Sequence, residues 1–292
     1  MKKVFILVFS LIVFAGAPNA YGWARLGHAV VAKVAEDHLT SKAKKALTEY
    51  LGGESIVTVA SDADIQRPFW TIDLGFVPSN PEAARPAWLA PLGFDSEAPL
   101  NISPISHSIT VDIDFNPLPT DNLNGAYVNN AAYYIDKWSK ELKEGAAKMD
   151  PEMRKRKISL IVHLIGDFHC PMHIVYLGRD ERKGGYKVTI GKSETRYHNW
   201  WDGGIFAFLV PFSYDDVARL VDTKSKKEIK EIVKGDVLEW AHQSAVDSWP
   251  AHYLQEGDVT GQDFPITMRP ILFGQLRNAG YRLAAMLNDI FG

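Results

Sequence analysis

The chain starts with two lysines and an apolar run, a pattern typical of an export signal, and it contains a single cysteine, Cys170. Exported proteins commonly gain stability from disulfide bonds, but one cysteine cannot form a bond within its own chain. The fold must therefore be stabilised by a large apolar core, to which bound metal ions could add. Removing a 22-residue signal from the 292 residues leaves 270, which is enough for one large domain with such a core.

The export signal lies in residues 1–22. Two lysines precede an apolar run, and Ala20 and Gly22 place small residues three and one positions before a cut. We predict cleavage after Gly22, so that Trp23 becomes the first residue of a secreted or periplasmic protein without stable membrane association. An uncleaved anchor is the alternative, but the run is shorter than the ~20 apolar residues that span a bilayer.

The mature chain is predicted to be acidic. Two of the 32 basic residues leave with the signal, so 30 face 35 acidic residues and the net charge is −5. This balance argues against a protein that grips nucleic acid through a broad basic patch. It leaves open a protein that reaches phosphate through bound cations, because metal ions are often the largest local charges in a site.

Helical periodicity dominates the chain after the signal. Apolar residues recur at helical spacing in residues 27–38, 41–51, 127–144, 152–167, 226–248 and 271–290. A Pro-rich stretch from Phe69 to about Ile105 predicts an extended surface segment. Residues 186–190 and 194–197 alternate around Gly191-Lys192, which indicates a hairpin. We predict one mostly α domain over residues 23–292 with one small β-hairpin.

Histidines and aspartates recur at a spacing of four residues. His163 and Asp167 are four apart in an apolar segment, so a helix would place both on one face, one turn apart. His173 follows beyond a proline, and His198 and Asp202 repeat the spacing. Each pair alone is weak, because a buried hydrogen-bonded His–Asp pair is at least as common as a metal site.

Three further side chains and the new N-terminus extend this set of possible ligands. His28, Asp64 and His107 add nitrogen and oxygen donors, and the whole set contains no thiolate. Such a set suits hydrolytic zinc sites, in which water keeps a coordination position. The free amine of Trp23 could also ligate once deprotonated, since its reference pKa is ~7.7–8, and the Trp23 carbonyl could close a chelate ring.

The motifs, taken in order, resemble those of a known family. They are WARLGH (23–28), ASDADIQR (60–67), His107, HLIGDFHCPMH (163–173) and HNWWD (198–202). Together they are similar to the ligand motifs of zinc-dependent single-strand nucleases of the fungal S-one and P-one type, called bifunctional nucleases in plants. The resemblance runs from residue 23 to the C-terminus.

The resemblance implies a helical fold of the phospholipase C and P-one nuclease type that holds three zinc ions. One zinc would be bound by Asp64, His107, His163 and Asp167. A second would be bound by Trp23, through its amine and carbonyl, by His28 and again by Asp167, which becomes the bridge. The third would be bound by His173, His198 and Asp202.

The resemblance also implies the reaction. The enzyme would be a monomeric endonuclease that cleaves single-stranded DNA or RNA to 5′-phosphate products and acts on 3′-nucleotides as a 3′-nucleotidase. Zinc lowers the pKa of bound water to ~7, which supplies the nucleophile near neutral pH. Asp64 would orient or deprotonate the attacking water, and Arg67 would neutralise charge on the phosphate.

The sequence departs from this family at the positions expected to contact bases. Ser108 and Thr110 follow His107, where an aromatic residue and an aspartate are usual, and Tyr186 replaces the usual asparagine after Gly-Gly. We expect the hydrolytic chemistry to be retained and the base or polymer preference to shift. A zinc-dependent phospholipase C and a noncatalytic zinc-stabilised binding protein remain the alternative functions.

Three of the other histidines have no partner at an informative spacing, and we predict structural or surface roles for His38, His242 and His252. His169 points to a different helical face from His163 and Asp167, so we leave it out of the ligand set. Cys170 is interpreted as a small, partly buried residue whose thiol could be oxidised.

Overall fold

The computed structural model describes residues 23–65, 107–118, 120–123, 126–182 and 184–292. The predicted signal peptide, Arg67 and the predicted Pro-rich segment lie outside these ranges. Within them the chain is mostly helical with small sheets, which confirms the predicted fold class. Among the described helices, none is long and apolar enough to cross a membrane.

The described helices and strands follow in chain order. The α-helices are α1 Arg25–Asp37, α2 Ser41–Tyr50, α3 Ile56–Val59, α4 Asp62–Ile65, α5 Ala131–Gly145, α6 Pro151–Asp167, α7 Tyr197–Asp202, α8 Tyr214–Val221, α9 Lys226–Ile232, α10 Val237–Ser248 and α11 Phe264–Phe291. The 3-10 helices are Ala146–Lys148, Pro171–His173, Gly204–Leu209 and Trp249–Tyr253. The strands are β1 Ile109–Val111, β2 Thr120–Leu123, β3 Ala126–Asn129, β4 Ile174–Tyr176, β5 Lys187–Ile190, β6 Ser193–Arg196 and β7 Val259–Thr260.

Capping side chains explain where two predicted helices differ from those observed. The helix predicted from residue 127 begins at Ala131, because Asn130 accepts a hydrogen bond from the backbone N–H of Tyr133, and residues 126–129 form β3 instead. The pattern over residues 226–248 is divided into α9 and α10. Gly235 has a φ of +86°, and the next residue, Asp236, caps α10.

The core is built around α1, which packs against α11, α8 and α6. Its buried face carries Val30, Val31 and Val34, as the apolar spacing predicts. Gly280 of α11 lies against this face, where an added Cβ would be 2.5 Å from the Val34 Cγ1. Glycine at this position therefore allows the backbone of α11 to approach α1 closely.

A short parallel pairing of β1 with β4 lies next to the predicted ligands. Ile109 pairs with Ile174 in this register, although the two strands are far apart in sequence. Because His107 lies two residues before β1 and His173 immediately precedes β4, the pairing brings these two histidines together. The predicted hairpin is also present as β5 and β6, and β7 extends it to a three-stranded sheet.

Candidate metal centre

Helix α6 supplies the first two ligand candidates from its last turns. His163 and Asp167 are fully buried, and the His163 Nε2 lies 3.0 Å from the Asp167 Oδ2. The helix begins at Pro151 after the capping residue Asp150 and continues to Asp167, so both side chains project from one face as their spacing predicts.

Two residues from distant segments join this pair. The His107 Nδ1 lies 2.5 Å from the Asp167 Oδ2 and 3.3 Å from the His163 Nε2. Asp64 reaches the same place from α4, with its Oδ1 3.6 Å from the His163 Nε2. Its side chain is 22% exposed, whereas His107, His163 and Asp167 are buried. The cluster is therefore open to solvent on the side of Asp64.

Helix α1 brings His28 to the other oxygen of Asp167. The His28 Nε2 lies 3.3 Å from the Asp167 Oδ1, and its ring stacks on that of His163 with centroids 3.9 Å apart. Neither ring nitrogen of His28 has a hydrogen-bond partner within the described residues. The two oxygens of Asp167 thus face different imidazoles, as a carboxylate shared between two ions would require.

Trp23 lies on the same side of helix α6. It is fully buried, and its ring meets that of Phe206 edge to face at 5.8 Å. An added Cβ at Gly166, next to Asp167, would lie 3.7 Å from the Trp23 Cδ1 and 2.8 Å from the His28 Nδ1. Glycine at position 166 therefore leaves the space in which the His28 ring lies beside Asp167.

The hydrogen bonds of His163 indicate what these donor atoms face. Its Nδ1 lies 2.8 Å from the Ala60 carbonyl oxygen and donates to it, because a carbonyl oxygen only accepts. In the neutral ring the Nε2 therefore carries a lone pair. That lone pair faces the oxygens of Asp64 and Asp167, so a proton or a cation is required between the nitrogen and these oxygens.

Five side chains thus converge around Asp167. We refer to them as the first ligand group, which consists of His28, Asp64, His107, His163 and Asp167.

The pKa shifts within the first ligand group also indicate that its carboxylates need a positive charge beside them. Burial lowers the pKa of His163, but Asp167 and Asp64 raise it more, to about 9. Burial and the neighbouring His163 lower the pKa of His28 to about 3. Burial raises the pKa of Asp167, but His163, His107 and His173 lower it well below its usual range. The raised pKa of His163 shows that the two carboxylates favour a positive charge at its Nε2, which is the position that a metal ion would take.

A second ligand group consists of His173, His198 and Asp202. The His173 Nε2 lies 3.1 Å from the His198 Nε2 and 3.6 Å from the Asp202 Oδ1, and the His198 Nε2 lies 3.1 Å from the Asp202 Oδ2. The His173 Nδ1 donates to the His107 carbonyl oxygen at 3.2 Å. This bond connects the second group to the first through the parallel pairing of β1 with β4.

Both groups have the dimensions of metal sites. Ligand atoms around a tetrahedral zinc ion, at bond lengths of ~2.0–2.3 Å, lie ~3.3–3.8 Å from one another. The separations of 3.0 to 3.6 Å around the His163 Nε2, and of 3.1 to 3.6 Å in the second group, are at or slightly below this range. The side chains fit metal ions: two sets of atoms in the first group are close enough to share an ion, and so are those of His173 and Asp202 together with Cys170. Their assignment as ligands stays a prediction, and Arg67 lies outside the described residues.

The sequence reasoning did not place Cys170 among the possible ligands, although it lies beside the second group. Cys170 is fully buried, with its Sγ 3.6 Å from the Asp202 Oδ1. The sequence offered one signal for it, because Cys170 lies between Asp167 and His173. We interpreted Cys170 as a small, partly buried residue whose thiol, beside the zinc ligands, could be oxidised; the structure shows it fully buried.

His169 and Arg282 form a buried contact next to the ligand groups. The Arg282 Nη1 donates to the His169 Nε2 at 2.8 Å, and the His169 Nδ1 donates to the Ile165 carbonyl oxygen at 2.8 Å. Burial and Arg282 lower the pKa of His169 well below its usual range, and burial lowers the pKa of Arg282 to about 10. His169 is therefore a neutral structural residue two positions after the end of α6.

The mostly helical fold and the two buried clusters of histidine and aspartate are typical of metal-dependent hydrolases. A family model for S1/P1 nuclease matches residues 23–292. Endonuclease 2 of Arabidopsis thaliana is 24% identical over 312 residues, covering 99% of this chain and 97% of that protein. Nuclease S1 of Aspergillus oryzae is 23% identical over 316 residues, covering 98% of this chain and 97% of that protein.

The chain belongs to the S1/P1 nuclease family. It is therefore a nuclease, an enzyme that hydrolyses phosphodiester bonds of nucleic acid, as the motif resemblance predicts. Membership of this family decides against the two alternatives that the sequence left open, a phospholipase C and a noncatalytic binding protein.

Proposed function

We propose that this protein is a secreted zinc-dependent endonuclease that cleaves single-stranded DNA and RNA to 5′-phosphate products and acts on 3′-nucleotides as a 3′-nucleotidase. The observation that carries the proposal is Asp167, whose two oxygens face His28 on one side and His107 with His163 on the other. A carboxylate in this position supports two adjacent ions, the arrangement that stabilises both the attacking and the leaving oxygen of a displacement at phosphorus. Three zinc ions are proposed.

Zinc agrees with the donor atoms of the first ligand group. Imidazole nitrogens and carboxylate oxygens, with no thiolate among them, are typical of zinc sites that hydrolyse. Zinc bound there would lower the pKa of a water and stabilise negative charge on the phosphate. The amine and carbonyl of Trp23 are proposed to complete the set after removal of residues 1–22, since in the uncut chain the Trp23 nitrogen is an amide.

The exposure of each residue in the first group indicates whether it accepts a proton or holds an ion. Asp64 is 22% exposed, so its carboxylate can accept a proton from the attacking water while the buried members hold the ions. His198 is 14% exposed on the side of the second group. The scissile phosphate is proposed to enter between these two openings, with Arg67 neutralising its charge and the P–O3′ bond breaking.

The preference for single strands is proposed to arise because the residues that would hold the metal ions lie below the protein surface. Unstacked bases can lie against a wall while the phosphate reaches into the site, which a duplex cannot do. Ser108 and Thr110 are nearly fully buried, and Tyr186 is only 6% exposed with the Arg182 guanidinium over its ring. Ser108 and Thr110 have no aromatic ring, and the ring of Tyr186 is covered, so none of the three can stack on a base. We therefore propose a base preference that differs from that of relatives.

Cleavage of single-stranded DNA by the mature protein tests the proposal. We expect hydrolysis that stops after dialysis against a chelator, returns with zinc, and leaves 5′-phosphate ends. The same preparations on phosphatidylcholine provide the control, for which we expect no hydrolysis. Chelator-sensitive lipid hydrolysis without cleavage of DNA or RNA would contradict the proposal. Initial rates on the homopolymers of each base then measure the preference.

A further inference from the structure

Cys170 lies beside the second ligand group. Its Sγ, a ligand atom of His173 and a carboxylate oxygen of Asp202 all lie within 4.8 Å of one another. The three side chains are buried. The sequence reasoning gave the second group three ligands, His173, His198 and Asp202, so the thiol is an additional donor.

The thiol of Cys170 donates a hydrogen bond to Asp202, and the sulfur–oxygen distance is the one that two ligands of a single tetrahedral ion would have. For a zinc ion with a Zn–S bond of ~2.3 Å and a Zn–O bond of ~2.1 Å, the tetrahedral angle places sulfur and oxygen ~3.6 Å apart. The observed separation between the Cys170 Sγ and the Asp202 Oδ1 is 3.6 Å. The His173 Nε2 lies 3.6 Å from the same oxygen of Asp202 and 3.1 Å from the His198 Nε2, so the thiol and His173 converge on one carboxylate oxygen.

The backbone fixes Cys170 between two ligands. Its N–H donates to the Asp167 carbonyl oxygen at 2.8 Å, and its own carbonyl oxygen accepts from the His173 N–H at 2.9 Å. A cysteine that served only to fill the core would be expected to meet apolar atoms, and its thiol would be inert. Here the thiol faces a carboxylate oxygen that belongs to a ligand group.

We propose that Cys170 is a ligand of the metal ion held by His173, His198 and Asp202, and that its thiol proton is released to solvent as the sulfur–metal bond forms. The inference rests on the metal-binding part of the proposed function and not on its substrate. Four protein ligands close the site, which leaves fewer positions for water and favours soft ions such as cadmium. This ion therefore has a larger structural and a smaller hydrolytic role than those of the first group.

Cobalt substitution tests the proposal by absorption, independently of activity. Mature protein is kept reduced, stripped of metal and titrated with cobalt(II). We expect a near-ultraviolet sulfur-to-cobalt charge-transfer band, together with the visible bands that histidine and carboxylate sites produce. Cys170 is the single cysteine of the chain, so any such band belongs to it.

The variants Cys170→Ser and Cys170→Ala should lose the charge-transfer band and keep the visible bands. We expect cadmium to bind the second group at least ~10-fold more weakly in both, which is the smallest effect reported for losing an outer-shell partner of a metal site. Wild-type protein that binds cobalt without the charge-transfer band overturns the role of Cys170 alone. Protein that binds no cobalt overturns this role and the proposed metal centre together.

Discussion

The substitution Gly166→Ala tests whether the space beside Asp167 is needed by His28. The added methyl would lie 2.8 Å from the His28 Nδ1 and 3.2 Å from its Cε1, whereas non-bonded carbon contacts are ~3.5–4.0 Å. The ring must move by ~0.7 Å to restore normal contact. Because a misplacement of ~1 Å at a catalytic site costs ~100-fold in rate, we expect a 10- to 100-fold loss of nuclease activity.

The effect of Gly166→Ala on stability is smaller. Overpacking costs ~1–3 kcal/mol, and replacing glycine by alanine within a helix returns ~1 kcal/mol, so the net loss is ~0–2 kcal/mol. The matched control is Gly274→Ala in α11, where the nearest atom to an added Cβ is the Arg277 Nη2 at 3.9 Å. We expect this control to gain ~1 kcal/mol in thermal melts and to keep its activity. A Gly166→Ala enzyme with wild-type rate and metal content would refute the reasoning.

Three further predictions concern the core, the N-terminus and pH. Gly280→Ala should lower the free energy of unfolding by ~2 kcal/mol in urea titrations, because its Cβ would lie 2.5 Å from Val34 and 3.1 Å from a backbone oxygen, an overlap at the upper end of the ~1–3 kcal/mol cost, of which alanine in a helix returns ~1 kcal/mol. An unchanged midpoint would contradict the close approach of α11 to α1. Retaining one residue before Trp23 should reduce the bound metal measured by native mass spectrometry, since the terminal amine becomes an amide; equal metal content in both forms would exclude the terminus as a ligand. In metal-free protein the pKa of His163 is raised from 6.5 to about 9, so its contribution to stability is complete below pH 6.5 and is lost as the pH rises through 9. We expect His163→Gln to abolish this loss in melts between pH 6.5 and 9, and a wild-type curve that is flat over this interval would contradict the raised pKa.

Residue spacing along the chain was sufficient to predict most helices and the two pairs of ligands that lie four residues apart. The spacing of His163 and Asp167 determined a shared face once α6 was helical, and the observed contact of 3.0 Å follows directly. The same is true of His198 and Asp202 in α7. The start of α5 was predicted too early because residues 126–129 pair with β2. Strand pairing depends on a partner segment that helical periodicity does not reveal.

The convergence of the ligand groups could not be derived from spacing. His107 and His173 meet because β1 pairs with β4 in parallel, a contact between segments more than sixty residues apart. His28 approaches Asp167 because position 166 has no side chain, and this contact depends on the packing of α1 against α6, which residue spacing does not reveal. The resemblance to a family supplied this grouping in advance. It gave no role to Cys170, because the ligand set that it implied contained no cysteine.

The hydrogen bond from His173 to the backbone of His107 has a consequence for how the protein acquires its ions. An ion that orders one ligand group also restrains the paired strands β1 and β4, which carry His107 and His173 at their starts. Binding of the next ion then loses less conformational entropy, because these strands are already ordered. Metal uptake is then cooperative. Partly loaded molecules should be scarce, and the enzyme should pass between empty and fully charged forms over a narrow range of free metal.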